Sequence, residues 1–206
     1  MSESRKIQAV VFDVGRVLVR WDLRCLFAKL IDEPDRLDFF LANVVTEEWH
    51  HQHDEGRPIH DMIEERVAQF PQFEAEIRAY ATRFNETIPG PVEGTHELAR
   101  RLAANDVPLF ALTNFGAEFW DLFRPTQTIF GLFEDIVVSG RENVAKPAAA
   151  IYAIAERRFG IDPARLLFID DKAENIAAAV ARGWQGHVFT DAETLEADLS
   201  SHGLLG

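Results

Sequence analysis

The chain has 206 residues, 47% of them hydrophobic and 27% charged, with a formal net charge of −13. That length supports one hydrophobic core, alone or with a smaller inserted unit, and the composition excludes a disordered chain. The negative excess opposes phosphate backbones and argues against a nucleic-acid partner.

In chain order, Ile7 to Phe12 is a short apolar run rich in Val and Ile, which predicts a buried parallel strand ending at Asp13, with Gly15 just beyond. From Trp21 to Thr87 the pattern turns helical. Leu23, Leu26, Phe27 and Leu30 recur at helical spacing, and Pro34 opens a second helix carrying Leu37, Phe40 and Leu41. Thr46-Glu47-Glu48 reads as a helix entry and Gly56-Arg57-Pro58 as a break. Ile59, Met62, Ile63 and Val67 make another stripe, Pro71 interrupts, and Phe73, Ile77, Tyr80 and Phe84 make the next. Ile88-Pro89-Gly90-Pro91 reads as a linker. A helix through Ala104 follows, and then strands and helices alternate. The strands are expected at Val107–Leu112, Asp135–Val138, Leu166–Ile169 and His187–Phe189. The helices are expected at Ala117–Phe123, Ala149–Phe159 and Ala173–Arg182. Alternation of this kind predicts an α/β fold: a Rossmann-like parallel sheet with helices on both faces. The expected organisation is a core of residues 1–20 and 88–206, with an all-helical insertion over 21–87.

Ligands of open parallel sheets bind beyond the carboxyl ends of the strands. The polar residues at those ends are Asp13, Thr113 with Asn114, and Asp170 with Asp171, while Lys146 precedes Pro147 at a helix approach. Each has a plainer reading alone. Asp13 forms a turn with Gly15, Thr113-Asn114 enters a helix, one aspartate caps the helix near Ala173, and Lys146 stands before a helix-starting proline. Capping explains one carboxylate of Asp170-Asp171 but not two, since neighbouring carboxylates repel unless a cation or proton intervenes. With Asp13 they offer the hard oxygen ligands that suit Mg²⁺, and one lysine with a cation lets an acidic protein hold a small anion.

Four ordered segments resemble the motifs of the haloacid dehalogenase-like superfamily. They are Val11-Phe12-Asp13-Val14-Gly15-Arg16-Val17-Leu18, Ala111-Leu112-Thr113-Asn114, Ala145-Lys146-Pro147 with Ile151-Tyr152, and Leu167-Phe168-Ile169-Asp170-Asp171 with Asn175. The helical stretch after the first motif resembles that family's cap. The resemblance implies a Mg²⁺-dependent phosphatase in which Asp13 attacks phosphorus and forms an aspartyl-phosphate. It implies metal ligation by Asp13, the Gly15 carbonyl, Asp171 and, directly or through water, Asp170. It implies phosphate binding by Thr113, the Asn114 backbone N–H and Lys146. Two departures stand out. Gly15 occupies the position where many of these phosphatases carry an acid–base aspartate, and Lys146-Pro147 continues with Ala148-Ala149 instead of Asp-Pro.

Trp49-His50-His51-Gln52-His53-Asp54 invites a transition-metal reading. Helical neighbours one apart point to different faces, only His50 and His53 share a side, and a structural or surface role is the plainer expectation. The resemblance sets this segment over the active site, with His51, His53 and Arg57 available to substrate. Trp49, Phe70, Phe73, Tyr80 and Phe84 are expected in the core. Asp32-Glu33 and Glu64-Glu65 are expected on solvated faces.

Cys25 is the only cysteine, so no internal disulfide forms. The polar residues 1–6 lack an apolar signal core, and no apolar run is long enough to span a bilayer. The expectation is a cytoplasmic protein, monomer or homodimer, acting on a small phosphorylated molecule without membrane or nucleic acid. Two alternatives stay open: a metal-independent 2-haloacid dehalogenase, against which Asp170-Asp171 speaks, and a catalytically weak member that binds phosphate or a partner. A receiver domain also combines acids, Thr and Lys, but its acidic pair precedes the phosphorylated Asp, whereas here the pair comes last.

Overall fold

Ala9-Val10-Val11-Phe12 is apolar at every position. Such a run is stable in a strand whose two faces are both covered. The computed structural model describes residues 6–205 and makes this run β1 (Ala9–Phe12), fully buried. Ile7, expected as the first strand residue, is buried just ahead of it. Residues 1–5 and 206, the outer ends of the expected core segments, lie outside the described residues.

After β2 (Val19–Arg20) the chain turns helical, through α1 (Arg24–Phe27), α2 (Pro34–Asn43), α3 (Glu47–Asp54), α4 (Ile59–Gln69) and α5 (Glu74–Arg83). Pro34 sits in the first turn of α2, where its missing N–H is no loss. Thr46 caps α3, its hydroxyl accepting from the Trp49 N–H at 3.0 Å. Leu37 with Phe40, Met62 with Ile63 and Ile77 with Tyr80 turn inward. Full burial of a Phe such as Phe40 stabilises by roughly 1.5–3 kcal/mol. β3 (Gly90–Pro91) pairs antiparallel with β2, Val19 with Pro91 and Arg20 with Gly90. The stretch expected as a bare linker is thus half of a short ribbon that joins the entry and exit of the helical stretch.

The remainder alternates: α6 (Thr95–Ala104), β4 (Leu109–Thr113), α7 (Ala117–Phe123), β5 (Asp135–Val138), α8 (Ser139–Glu142), α9 (Ala149–Phe159), β6 (Leu166–Asp170), α10 (Ala173–Ala181), β7 (Gln185–Val188) and α11 (Ala192–Ser201). α8 and α11 are additions to the expected elements. α11 carried a readable signal: Asp191 accepts from the Thr194 N–H at 2.8 Å, and Leu195 and Leu199 bury one face.

The five parallel strands run in the order β5-β4-β1-β6-β7. The chain steps from β1 out to β4 and β5, then returns to β6 and β7 on the other side. Strand order therefore reverses at β1, the point where such sheets bind ligands. Phe12 lies beside both Ala111 and Ile169. One residue further, Asp13, Leu112 and Asp170 stand level at the carboxyl edge.

Alternate strand residues face opposite sides. Ala9, Val11, Phe110, Leu112 and Phe168 pack with Tyr152, Ala155 and Trp184 of the α9–α10 side. Val10, Phe12, Leu109, Ala111 and Ile169 belong to a larger cluster that continues through α6, α7 and α11 into the helical stretch. Among the described residues no helix is long and apolar enough to cross a membrane.

Candidate active site

Three strand ends deliver the charged centre. Asp13 follows β1, Thr113 ends β4 and Asp170 ends β6. Lys146 reaches in from the loop before α9, through a cis peptide bond to Pro147. Its ammonium donates to Asp13 Oδ1 at 2.9 Å, to Asp170 Oδ2 at 2.7 Å and to the Leu112 carbonyl at 2.9 Å. All three ammonium protons are thereby used. Asp170 is locked further, by the Lys172 N–H at 2.8 Å and by Asn175 Nδ2 at 2.9 and 3.0 Å on its two oxygens. Tyr152 in turn donates to the Asn175 carbonyl at 2.8 Å.

Asp13, Asp170 and Asp171 each bring a carboxylate oxygen within 4.8 Å of the others. Burial, followed by the charges of Asp170 and Asp171, pushes the Asp13 carboxyl up to about 7 against the pull of Lys146. Burial and Asp170 also raise Asp171. Burial lowers Lys146, but Asp13 and Asp170 more than offset it and leave the ammonium above the ordinary lysine range. Three carboxylates against one ammonium leave the centre short of positive charge. Asp171 makes no hydrogen bond or ion pair among the described residues, so its oxygens are free for a ligand. This donor set fits a hard divalent cation such as Mg²⁺.

Thr113 Oγ1 is buried without a hydrogen-bond partner among the described residues. A hydroxyl left unpaired at a strand end has its full donor capacity available for a bound oxygen. Asn114 acts through its side chain, which the sequence reading does not anticipate: Nδ2 donates to the Lys146 carbonyl at 3.0 Å, and Oδ1 accepts from the Lys146 N–H at 2.8 Å. It thereby fixes the loop that carries the lysine.

The centre opens on a cavity of about 350 Å³ whose walls include Asp13, Gly15 and Asp171 from the sheet edge and Glu48, His51 and Asp54 from α3. Arg16, in the left-handed region at φ 61°, turns its guanidinium to an ion pair with Glu47 and over the Trp21 ring at 5.1 Å. The loop after β1 is thus tied to α3.

A family model for haloacid dehalogenase-like hydrolases matches residues 7–183. The chain belongs to this family. A sesquiterpene phosphatase from Aspergillus oryzae is 27% identical over 187 residues, which cover 89% of this chain and 90% of that protein. The magnesium complex of a haloacid dehalogenase-family enzyme from Bacteroides thetaiotaomicron superposes with a TM-score of 0.71 at 19% identity, covering 94% of this chain and 98% of that one. L-2-haloacid dehalogenase from Xanthobacter autotrophicus superposes with a TM-score of 0.63 at 19% identity, covering 95% and 83%. The two structural matches share the fold.

Within this haloacid dehalogenase-like hydrolase, the α3 histidines divide. His51 lines the cavity. His53 and Arg57, expected as equals of His51, are turned elsewhere. His53 is buried edge-on to Phe119, with Nδ1 2.8 Å from the Arg57 carbonyl. Arg57 donates to Gln52 at 2.7 Å and pairs with Glu65. The physical reason is the close approach of α3 to Gly116, where a Cβ would lie 1.9 Å from the His53 ring. His50 lies alongside the stacked Phe84 and Phe119 rings, about 6 Å from each centroid, with Nδ1 2.8 Å from the Tyr80 hydroxyl.

Proposed function

We propose that the protein is a magnesium-dependent phosphatase acting on a small phosphomonoester through an aspartyl-phosphate on Asp13. One observation carries the reading: Lys146 bridges Asp13 and Asp170, with Asp171 close by and unpaired among the described residues, beneath a cavity of about 350 Å³. A cavity near the lower end of the ligand-site range supports a small substrate. The phosphatase relative, matched over most of both chains, supports a phosphate ester. The boundaries 21–87 for a cap and 1–20 with 88–206 for the core belong to this proposal, as does a cytoplasmic setting, which the single Cys25 suits.

Asp13 Oδ1 already accepts from Lys146 and, at 2.7 Å, from the Val14 N–H. That holds the carboxylate still and leaves its other oxygen to attack phosphorus in line with the leaving oxygen. Thr113 Oγ1 donates to a phosphoryl oxygen. Lys146 sets its positive charge beside the phosphoryl group and keeps Asp13 aligned with Asp170. Asp13, the Gly15 carbonyl and Asp171, with Asp170 directly or through water, are the residues that would hold the cation, which when bound neutralises charge during the displacement.

Purified protein with Mg²⁺ is expected to release phosphate from members of a panel of small phosphate esters, and Asp13→Asn to release none above background. Turnover in Asp13→Asn equal to wild type, or halide release from 2-haloacids that survives chelation, overturns this reading.

A further inference from the structure

Gly15 stands where an acid would protonate the leaving group, and sterics do not exclude an acid there. A Cβ built on Gly15 meets nothing within 4 Å, and its backbone lies outside the left-handed region. Position 15 lines the cavity and carries no side chain. Phosphate esters of ordinary alcohols depart slowly without a proton, so the donor has to come from another wall.

That wall is α3. Its last turn carries an ordered set of proton-bearing side chains within an otherwise aromatic surround. The Tyr80 hydroxyl lies 2.8 Å from His50 Nδ1. Burial raises Tyr80 well above the ordinary phenol range and lowers His50, so Tyr80 keeps its proton and donates it to a neutral imidazole. His50 Nε2–H then points at Asp54 Oδ1, 3.4 Å away. This contact is too loose to satisfy Oδ1, which is buried without a hydrogen bond among the described residues. Ser139 Oγ donates to the Asp54 carbonyl at 2.6 Å and pins the end of α3 to the sheet side. Packing alone does not call for a carboxylate at this place. Its other oxygen lies 3.8 Å from His51 Nδ1, and His51 Nε2 lies 3.7 Å from exposed Glu55. Neither contact is a closed hydrogen bond, so a His51 N–H is free to meet a substrate oxygen. His50, His51 and Asp54 all line the cavity that holds Asp13.

We propose that His51, with the Asp54 carboxylate 3.8 Å from its Nδ1, is the proton donor and acceptor that takes the place of the acid missing at Gly15. The proposal rests on the phosphatase reading above. In the first step an Asp13 oxygen bonds to phosphorus and the phosphorus–ester oxygen bond breaks. The electron pair leaves on that oxygen, which takes the proton of the His51 imidazolium and departs as the alcohol. In the second step neutral His51 takes a proton from the water that attacks the aspartyl-phosphate. Phosphate leaves, Asp13 is regenerated, and His51 is again charged. His51 is the catalytic residue; Asp54, His50 and Tyr80 are positioning residues. The charged groups around His51 are Asp54 and Glu48 on its own helix, Glu55 just past its end, Lys172 from the sheet edge, and Glu174 on the cavity wall. Asp54 foremost, with Glu55, holds His51 above the ordinary imidazole range against burial and Lys172.

The test compares kcat/KM of the full chain with Mg²⁺ on an alkyl phosphate and on 4-nitrophenyl phosphate, whose phenolate leaves without a proton. His51→Gln is expected to lower the alkyl value about 100-fold, the lower end of acid–base contributions, and the aryl value less than about tenfold. Gly15→Asp in the His51→Gln background is expected to restore most of the alkyl activity. Followed by NMR, the His51 titration midpoint is expected to fall in Asp54→Asn. Equal losses on both esters, an unchanged alkyl rate, or an unmoved midpoint overturns the proposal while the phosphatase reading stands. Wild-type protein that hydrolyses no ester of the wider panel overturns both.

Discussion

Asp170 and Asp171 are adjacent in sequence and opposite in circumstance. Asp170 is fully buried, and its oxygens are taken by Lys146, Asn175 and the Lys172 N–H. Asp171 is half-buried and has no such partner among the described residues. The division makes Asp170 the rigid anchor of Lys146 and Asp171 the carboxylate with ligand capacity to spare. A ligand that binds only the folded state adds about 2.7 kcal/mol of stability at a hundred times its dissociation constant. Mg²⁺ is therefore expected to raise the melting temperature of the wild-type protein measurably, and to lose most of that effect in Asp171→Asn. Equal shifts in the two proteins would remove Asp171 from the ligand set. The family resemblance already set Asp171 ahead of Asp170 as a metal ligand, but the residues alone show two identical side chains in a row. Which one points into the sheet and which into the cavity follows from strand pleat and burial.

At the scale of elements, α3 carries the contacts that matter most for the cavity. Its approach to the start of α7 depends on Gly116, because a Cβ there would overlap the His53 ring. Gly116→Ala is expected to destabilise the fold by about 1–3 kcal/mol, the usual cost of overpacking, read as a lower denaturant midpoint with an unchanged slope. α3 also makes stability pH-dependent. Burial depresses the His50 pKa, so the folded state binds fewer protons than the unfolded chain below the unfolded His value of about 6.5. Stability contributed by neutral His50 is present above that pH and declines as acid is added towards the depressed folded value. In His50→Gln the decline across that window is expected to be shallower; an identical profile would show that His50 does not contribute. The elements themselves were largely legible: the strand runs, the Pro34 and Thr46 helix starts and the break at Gly56-Arg57-Pro58 are local signals. The β2–β3 ribbon was not, since two residues on each side carry no periodicity and pair only because the fold brings them together.

At the scale of the molecule, the helical stretch and the sheet do not have separate apolar interiors. One buried cluster includes Val10 and Phe12 of the central strand together with Phe40, Met62 and Ile77 of the helices. Unfolding the helices alone would expose the sheet face they cover. A single calorimetric transition is expected, with calorimetric and van't Hoff enthalpies in agreement, and two resolved transitions would show that the helices unfold on their own. The sequence by itself determined the α/β alternation, the run of helices after the first strand and the placement of Asp13, Thr113 and Asp170 at strand ends. It could do so because apolar periodicity and strand termini are properties of short windows of chain. Only the tertiary structure decided that His51 faces the cavity while His53 and Arg57 do not, that Asn114 steadies Lys146, and that Asp54 lies buried beside His51. Those outcomes depend on how a helix is rotated against a distant sheet, and packing between segments far apart in sequence sets that rotation.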